Sequence, residues 1–105
     1  MVEQLEDEKL DEYVKNHDIV ILDIFTTWCG PCITQAAILE ELAKDKVASN
    51  VSIVKMDADT CPKTCGRFNI TAIPTVVLFN GGQHVKIHVG VWSKEDLLKE
   101  IAALK

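Results

Sequence analysis

The chain has 105 residues, 48% apolar and 26% charged, which is enough for one domain to bury a core without disulfide staples. Its net charge of −5, with Glu3, Glu6, Asp7, Glu8, Asp11 and Glu12 crowded near the start, argues against a nucleic-acid or anionic-membrane partner. No apolar run reaches the roughly 18 residues that cross a bilayer, and Met1 to Leu5 lacks the basic-then-apolar pattern of a signal peptide, so a cytosolic protein is expected, with a monomer as the default state.

In chain order, Val2 to Leu5 suits a short edge strand, and Leu10, Tyr13 and Val14 recur at helical spacing up to Asn16 or His17. Val20 to Phe25 is almost uninterrupted apolar sequence, the mark of a strand covered on both faces. A helix is expected from Pro31 through Ile33, Ala36, Ala37, Leu39 and Leu42 to the charges at Lys44–Lys46, followed by a strand over Val51–Met56. A short helix carries Cys61 to Phe68, and a loop at Thr71–Thr75 leads into a strand over Val76–Phe79. Asn80-Gly81-Gly82 signals a hairpin, whose return strand sets Val85, Ile87 and Val89 on one face and His84, Lys86 and His88 on the other. A last helix starts at Ser93 and buries Leu97, Leu98 and Ile101. The alternating front half implies parallel strands with crossover helices, and the hairpin adds an antiparallel edge. The expected architecture is an α/β domain over residues 1–105, with a central mixed sheet of about five strands flanked by four helices.

Between the second strand and the second helix lies Trp28-Cys29-Gly30-Pro31-Cys32. Two cysteines at this spacing close and reopen a small disulfide ring. The attacking species is the thiolate, and a helix N-terminus, with its unpaired N–H groups and positive dipole end, stabilises it. Cys29 falls at that position and is read as the attacking sulfur. Cys32, one turn further in, is read as the resolving one, with Gly30 and Pro31 keeping the turn tight. The alternative is a zinc site shared with Cys61 and Cys65. It is disfavoured by the wide gap between the pairs and by the proline inside the first. Asp23 stands amid Val20, Ile21, Leu22, Ile24 and Phe25, so burial is expected to raise its pKa and suit it to exchanging a proton with Cys32. The milder reading is a strand-end carboxylate held by backbone N–H groups. Lys55 is its candidate charge partner, although strand lysines commonly reach solvent.

Together with Ile73-Pro74-Thr75 before the hairpin and Gly90 after it, the pentapeptide and Asp23 make the chain resemble the thioredoxin family along essentially its whole length. The resemblance implies a protein-disulfide reductase that binds no cofactor. Its electrons would come indirectly from NADPH through a thioredoxin reductase, and its substrates would be disulfide-containing proteins. It also implies a cis Pro74 packed against the dithiol, with Ile73 offering its backbone to an extended substrate. Trp28, Ile73, Pro74, Gly90 and Val91 would form an apolar rim around Cys29, Gly30 and Pro31. Asp23 would be the buried acid, with Lys55 beside it. The chain departs from the family at Ile33, where a basic residue is common, at Ala37, where a helix proline is common, and at Phe25, a frequent tryptophan. The competing functions are a disulfide oxidase or isomerase of the same fold, against which Pro31 speaks, and a non-catalytic scaffold using the same groove.

Cys61 and Cys65 are candidates for regulation: Cys61 at a helix start would be oxidisable, against the milder reading of a small packing residue. His84 and His88, on one face with Lys86 between them, make a weak metal candidate. Trp92, just before Ser93, reads as a staple against Leu97 rather than as a substrate platform.

Overall fold

The computed structural model describes residues 2–105. Strand β1 (Glu3–Gln4) and a 3-10 turn (Asp7–Lys9) lead into helix α1 (Leu10–Lys15), followed by β2 (Ile19–Phe25), α2 (Gly30–Leu42) and β3 (Val51–Asp57). Then come α3 (Pro62–Arg67), the hairpin strands β4 (Thr75–Asn80) and β5 (Gln83–Val89), and α4 (Lys94–Leu104). The sheet order is β1-β3-β2-β4-β5. β1 and β2 both run parallel to β3, while β4 is antiparallel to β2 and β5 antiparallel to β4. This is the expected mixed five-stranded sheet with four helices. No helix among the described residues is long and apolar enough to cross a membrane.

The central strand explains both layers. Val20, Leu22 and Ile24 pack on one face with Leu10, Val14 and Phe68, the side of α1 and α3. Ile19 and Ile21 pack on the other with Leu39, Leu42, Leu97 and Ile101, the side of α2 and α4. Side chains alternate along a strand, so Asp23 faces the second layer, beneath α2.

Four details differ from the sequence expectations. In α2 the buried stripe is Cys32, Gln35, Leu39 and Leu42, while Ile33, Ala36 and Ala37 face out. The helix also stops at Leu42, because Asp45 turns its carboxylate back to accept from Val47 N–H and starts a separate 3-10 turn. In the hairpin, Asn80 pairs with Gln83, so the turn itself is Gly81-Gly82, whose φ values of 64° and 86° suit a type I′ turn. A β-bulge there pairs Leu78 with Lys86 but Phe79 with His84, leaving Val85 as the extra residue. The bulge carries His84 to the face of Phe68, where their rings meet edge-on at 5.3 Å, away from Lys86 and His88. The two histidines therefore do not share a face. Val85, Ile87 and Val89 stay exposed on the edge strand.

Helix α3 ends with Asn69 at φ 54°, Asn69 N–H donating to Gly66 O and Ile70 N–H to Cys65 O. This left-handed cap satisfies the last carbonyls and turns the chain toward the Ile73-Pro74 loop. At the other end, Asp7 from the first 3-10 turn accepts the N–H groups of Lys63 and Thr64 at 2.8 and 2.9 Å and the Thr64 hydroxyl at 2.6 Å.

Candidate active site

Cys29 is the N-cap of α2, with Pro31 in the first turn and the Cys32 N–H donating to Cys29 Sγ at 3.2 Å. The helix thus aims one of its unpaired donors at the sulfur that would carry charge. Cys29 and Cys32 are joined by a disulfide across a Cα–Cα distance of 5.3 Å. Cys29 is half-buried and Cys32 buried, so the two sulfurs of one ring have unequal access to a partner.

The loop opposite completes the site. The Ile73–Pro74 peptide is cis, and Ile73 O lies 3.9 Å from Cys29 Sγ. Thr75 Oγ1 donates to Ala72 O at 2.6 Å across the bend. Gly90, at φ 90°, donates its N–H to Pro74 O at 2.8 Å and ties the segment after β5 to this loop. Trp28 is 75% exposed beside the disulfide, and its indole N–H donates to Asp59 Oδ2 at 3.0 Å. Val91 is exposed, Ile73 half-exposed and Pro74 buried beneath them. Ile33, 74% exposed in the first turn of α2, extends the apolar surface beyond the expected rim.

Beneath the helix, Asp23 is 2% exposed, and its Oδ1 has no hydrogen-bond partner among the described residues. Burial pushes its pKa up to about 7, against the attraction of Lys55, its register partner across β2 and β3. Asp23, Lys55, Ala36, Leu39, Glu40 and Val2 line a cavity of about 20 Å³, room for one water. Leu39 and Ala36 bring α2, the helix that carries Cys32, to the edge of this cavity. Lys55 is half-buried, with its ammonium 5.7 Å from the centre of the Phe25 ring.

The family model for thioredoxin matches residues 1–103. The chain belongs to the thioredoxin family. It is 43% identical to thioredoxin of Mycobacterium bovis over 83 residues, covering 79% of this chain and 71% of that protein. A bifunctional thioredoxin reductase/thioredoxin of Mycobacterium leprae is 41% identical over 83 residues, covering 79% of this chain and 18% of that protein. Among solved structures, oxidized mitochondrial thioredoxin 3 of Saccharomyces cerevisiae superposes with a TM-score of 0.86 at 30% identity, covering 98% of this chain and 95% of that one. Family, fold and the Cys29–Cys32 pair together make the chain a thiol-disulfide oxidoreductase with protein-disulfide reductase activity.

The residues outside this site sort differently. Cys61 and Cys65 are free thiols. Cys61 is the N-cap of α3 ahead of Pro62, the helix-start position expected of an oxidisable thiol, yet it is 1% exposed and points toward Leu5 O at 4.0 Å. Cys65 points toward Ala58 O at 3.8 Å. Burial raises both thiol pKa values, and the Asp7 charge raises them further, which works against ready oxidation of Cys61. Among the described residues no three His, Cys, Asp or Glu side chains converge as metal ligands would. Trp92 is 3% exposed in the core cluster that holds Leu97, and Ser93 caps α4 by accepting Asp96 N–H, which favours the staple.

Two residues of the site escape a sequence reading. Asp59 carries no signal that it would hold the Trp28 indole. Gln35, a polar helix residue, reads as solvent-facing but is fully buried: its Oε1 accepts Trp92 N–H at 2.6 Å, and its Nε2 donates to Trp92 O at 3.2 Å.

Proposed function

We propose that Cys29 is the nucleophile and Cys32 the resolving residue of this reductase, with Asp23 as proton acceptor and Lys55 as its electrostatic partner. In the reduced protein the Cys29 thiolate attacks one sulfur of a target disulfide. A Cys29–target mixed disulfide forms, and the other target sulfur leaves and takes up a proton. Asp23, ionised in about half the molecules near pH 7, takes the Cys32 proton through the water its cavity accommodates. The Cys32 thiolate then attacks Cys29 Sγ, closes the intramolecular disulfide and expels the second target sulfur as a thiolate, which takes up the proton that Asp23 gives back. Two electrons pass to the target, and the protein is left in the oxidised form described above.

The target segment lies extended along Ile73, whose backbone pairs with it, while Trp28, Gly30, Pro31, Pro74, Gly90 and Val91 supply the surrounding contacts. Electrons return from NADPH through a thioredoxin reductase. The fusion of the two activities in the M. leprae protein supports that pairing. The chain acts as a single-domain monomer in the cytoplasm. The unpaired thiols of Cys61 and Cys65 support a reducing compartment, and in this reading both are packing residues rather than regulators.

The observation that carries the proposal is the Cys29 sulfur at the N-cap of α2, accepting the Cys32 N–H beside the Ile73 carbonyl. It is tested by insulin-disulfide reduction coupled to NADPH and a thioredoxin reductase. Turnover is expected, and Cys29→Ser should abolish it. A scaffold would keep its partner function in that variant, and an absence of wild-type turnover would defeat the reading.

A further inference from the structure

The segment Gly90–Trp92 carries Gly90 and Val91 of the proposed rim around the disulfide but belongs to neither β5 nor α4. It is anchored at Gly90, whose N–H reaches Pro74 O, and at Val91, whose carbonyl lies 3.2 Å from His88 Nε2. At Trp92 its backbone meets no strand or helix ladder. There both main-chain groups, in the core, are matched by the single amide of Gln35. The match is directional: the amide oxygen faces the N–H and the amide nitrogen faces the carbonyl, as a neighbouring strand would do. Gln35 lies one turn after Cys32 on the buried side of α2. One side chain therefore fastens the helix that carries the dithiol to the segment that contacts the substrate. A hydrophobic residue would fill the same core position but leave two buried main-chain groups unpaired.

We propose that Gln35 is a positioning residue for protein substrates: through Trp92 it sets the height of Gly90 and Val91 against Cys29, and so governs binding of an extended target rather than the sulfur chemistry. The proposal rests on the reading of the dithiol and rim given above.

Two variants test it. Gln35→Leu removes both hydrogen bonds at similar volume. Gln35→Glu keeps the acceptor for Trp92 N–H but turns an oxygen toward Trp92 O, and protonating that carboxyl restores a donor. For Gln35→Leu the KM for insulin should rise at least about fivefold, a lower bound set by one of the two lost hydrogen bonds, with kcat retained. Reduction of a small aromatic disulfide, dithiobisnitrobenzoate, should be unchanged, since it is too short to lie along the rim. For Gln35→Glu the KM ratio to wild type should be larger at pH 8 than at pH 6 while dithiobisnitrobenzoate reduction stays at the wild-type rate at both pH values, a split that a general loss of folding would not produce. An unchanged insulin KM in both variants, or a parallel fall with both disulfides, would overturn the role of Gln35. A wild-type protein that reduces neither disulfide would instead overturn the underlying reading. Should Gln35→Leu fail to fold, the pH dependence of Gln35→Glu decides alone.

Discussion

The molecule contains the same local device twice, and only one copy closes a disulfide. At α2 and at α3 a cysteine forms the N-cap, a proline sits in the first turn, and a second cysteine follows within the helix. An aspartate accompanies each: Asp23 beneath α2, Asp7 at the tip of α3. At α2 the Cys32 N–H is given to the Cys29 sulfur. At α3 the Lys63 and Thr64 N–H groups are given to the Asp7 carboxylate, and the cysteines point elsewhere. A helix N-terminus thus activates a thiol only where its donors are left to the sulfur. Where a carboxylate has taken them, it caps the helix and its charge opposes ionisation of the thiols beside it.

The sharpest break between the copies is expected from serine substitution. Cys29→Ser should reduce insulin turnover to background, whereas Cys61→Ser should leave it at the wild-type level. Loss of activity in both, measured with NADPH and a reductase, would erase the distinction.

The two aspartates should respond to pH in opposite directions. The folded pKa of Asp23, about 7, lies above its ordinary 3.8, so the protonated carboxyl contributes stability that is full below about pH 4 and lost as pH rises through 7. Asp23→Asn removes the buried charge. In urea unfolding it should be more stable than the parent by about 4 kcal/mol at pH 8 and by almost nothing at pH 4. An equal gain at both pH values would show that burial of charge is not the cause. Asp7 is shifted the other way. Burial pushes it up, but the Thr64 hydroxyl and the two N–H groups outweigh that and hold it below the ordinary value. Its contribution is therefore present at neutral pH and lost as pH falls below the usual carboxylate range. Asp7→Ala should cost about 1–2 kcal/mol at pH 7 and should speed alkylation of Cys65, a readout that simple loss of a cap elsewhere would leave unmoved. The smallest effect is expected at the rim: Trp28→Phe loses the indole donor to Asp59, an exposed contact, and should raise the insulin KM about twofold.

Where a single strong signal governed an element, the sequence was enough to read it. The apolar run of β2 placed the central strand, and the Cys-Gly-Pro-Cys turn, Asp23 and the Ile73-Pro74 pair identified the redox end. Features decided by distant partners were not legible. Ile33 and Ala37 look like core residues by composition, yet the register of α2 is set by Cys32 and by the pairing of Gln35 with Trp92, a residue 57 positions away. The bulge in β5 that parts His84 from His88 arises from how Phe79 pairs, which no local pattern in the return strand announces. Exposure of Val85, Ile87 and Val89 follows from the position of β5 at the sheet edge, a matter of topology rather than alternation.

The position of Cys29 as N-cap makes helix integrity and chemical reactivity two measures of one free energy. The sulfur proposed to attack is also the acceptor that closes the first turn, and a thiolate accepts a hydrogen bond more strongly than a neutral sulfur does. By reciprocity, whatever tightens the start of α2 favours ionisation of Cys29, and each ionisation tightens the start of α2. A substitution deep in that helix, far from any sulfur, can then retune the nucleophile by changing nothing more than how readily the first turn frays.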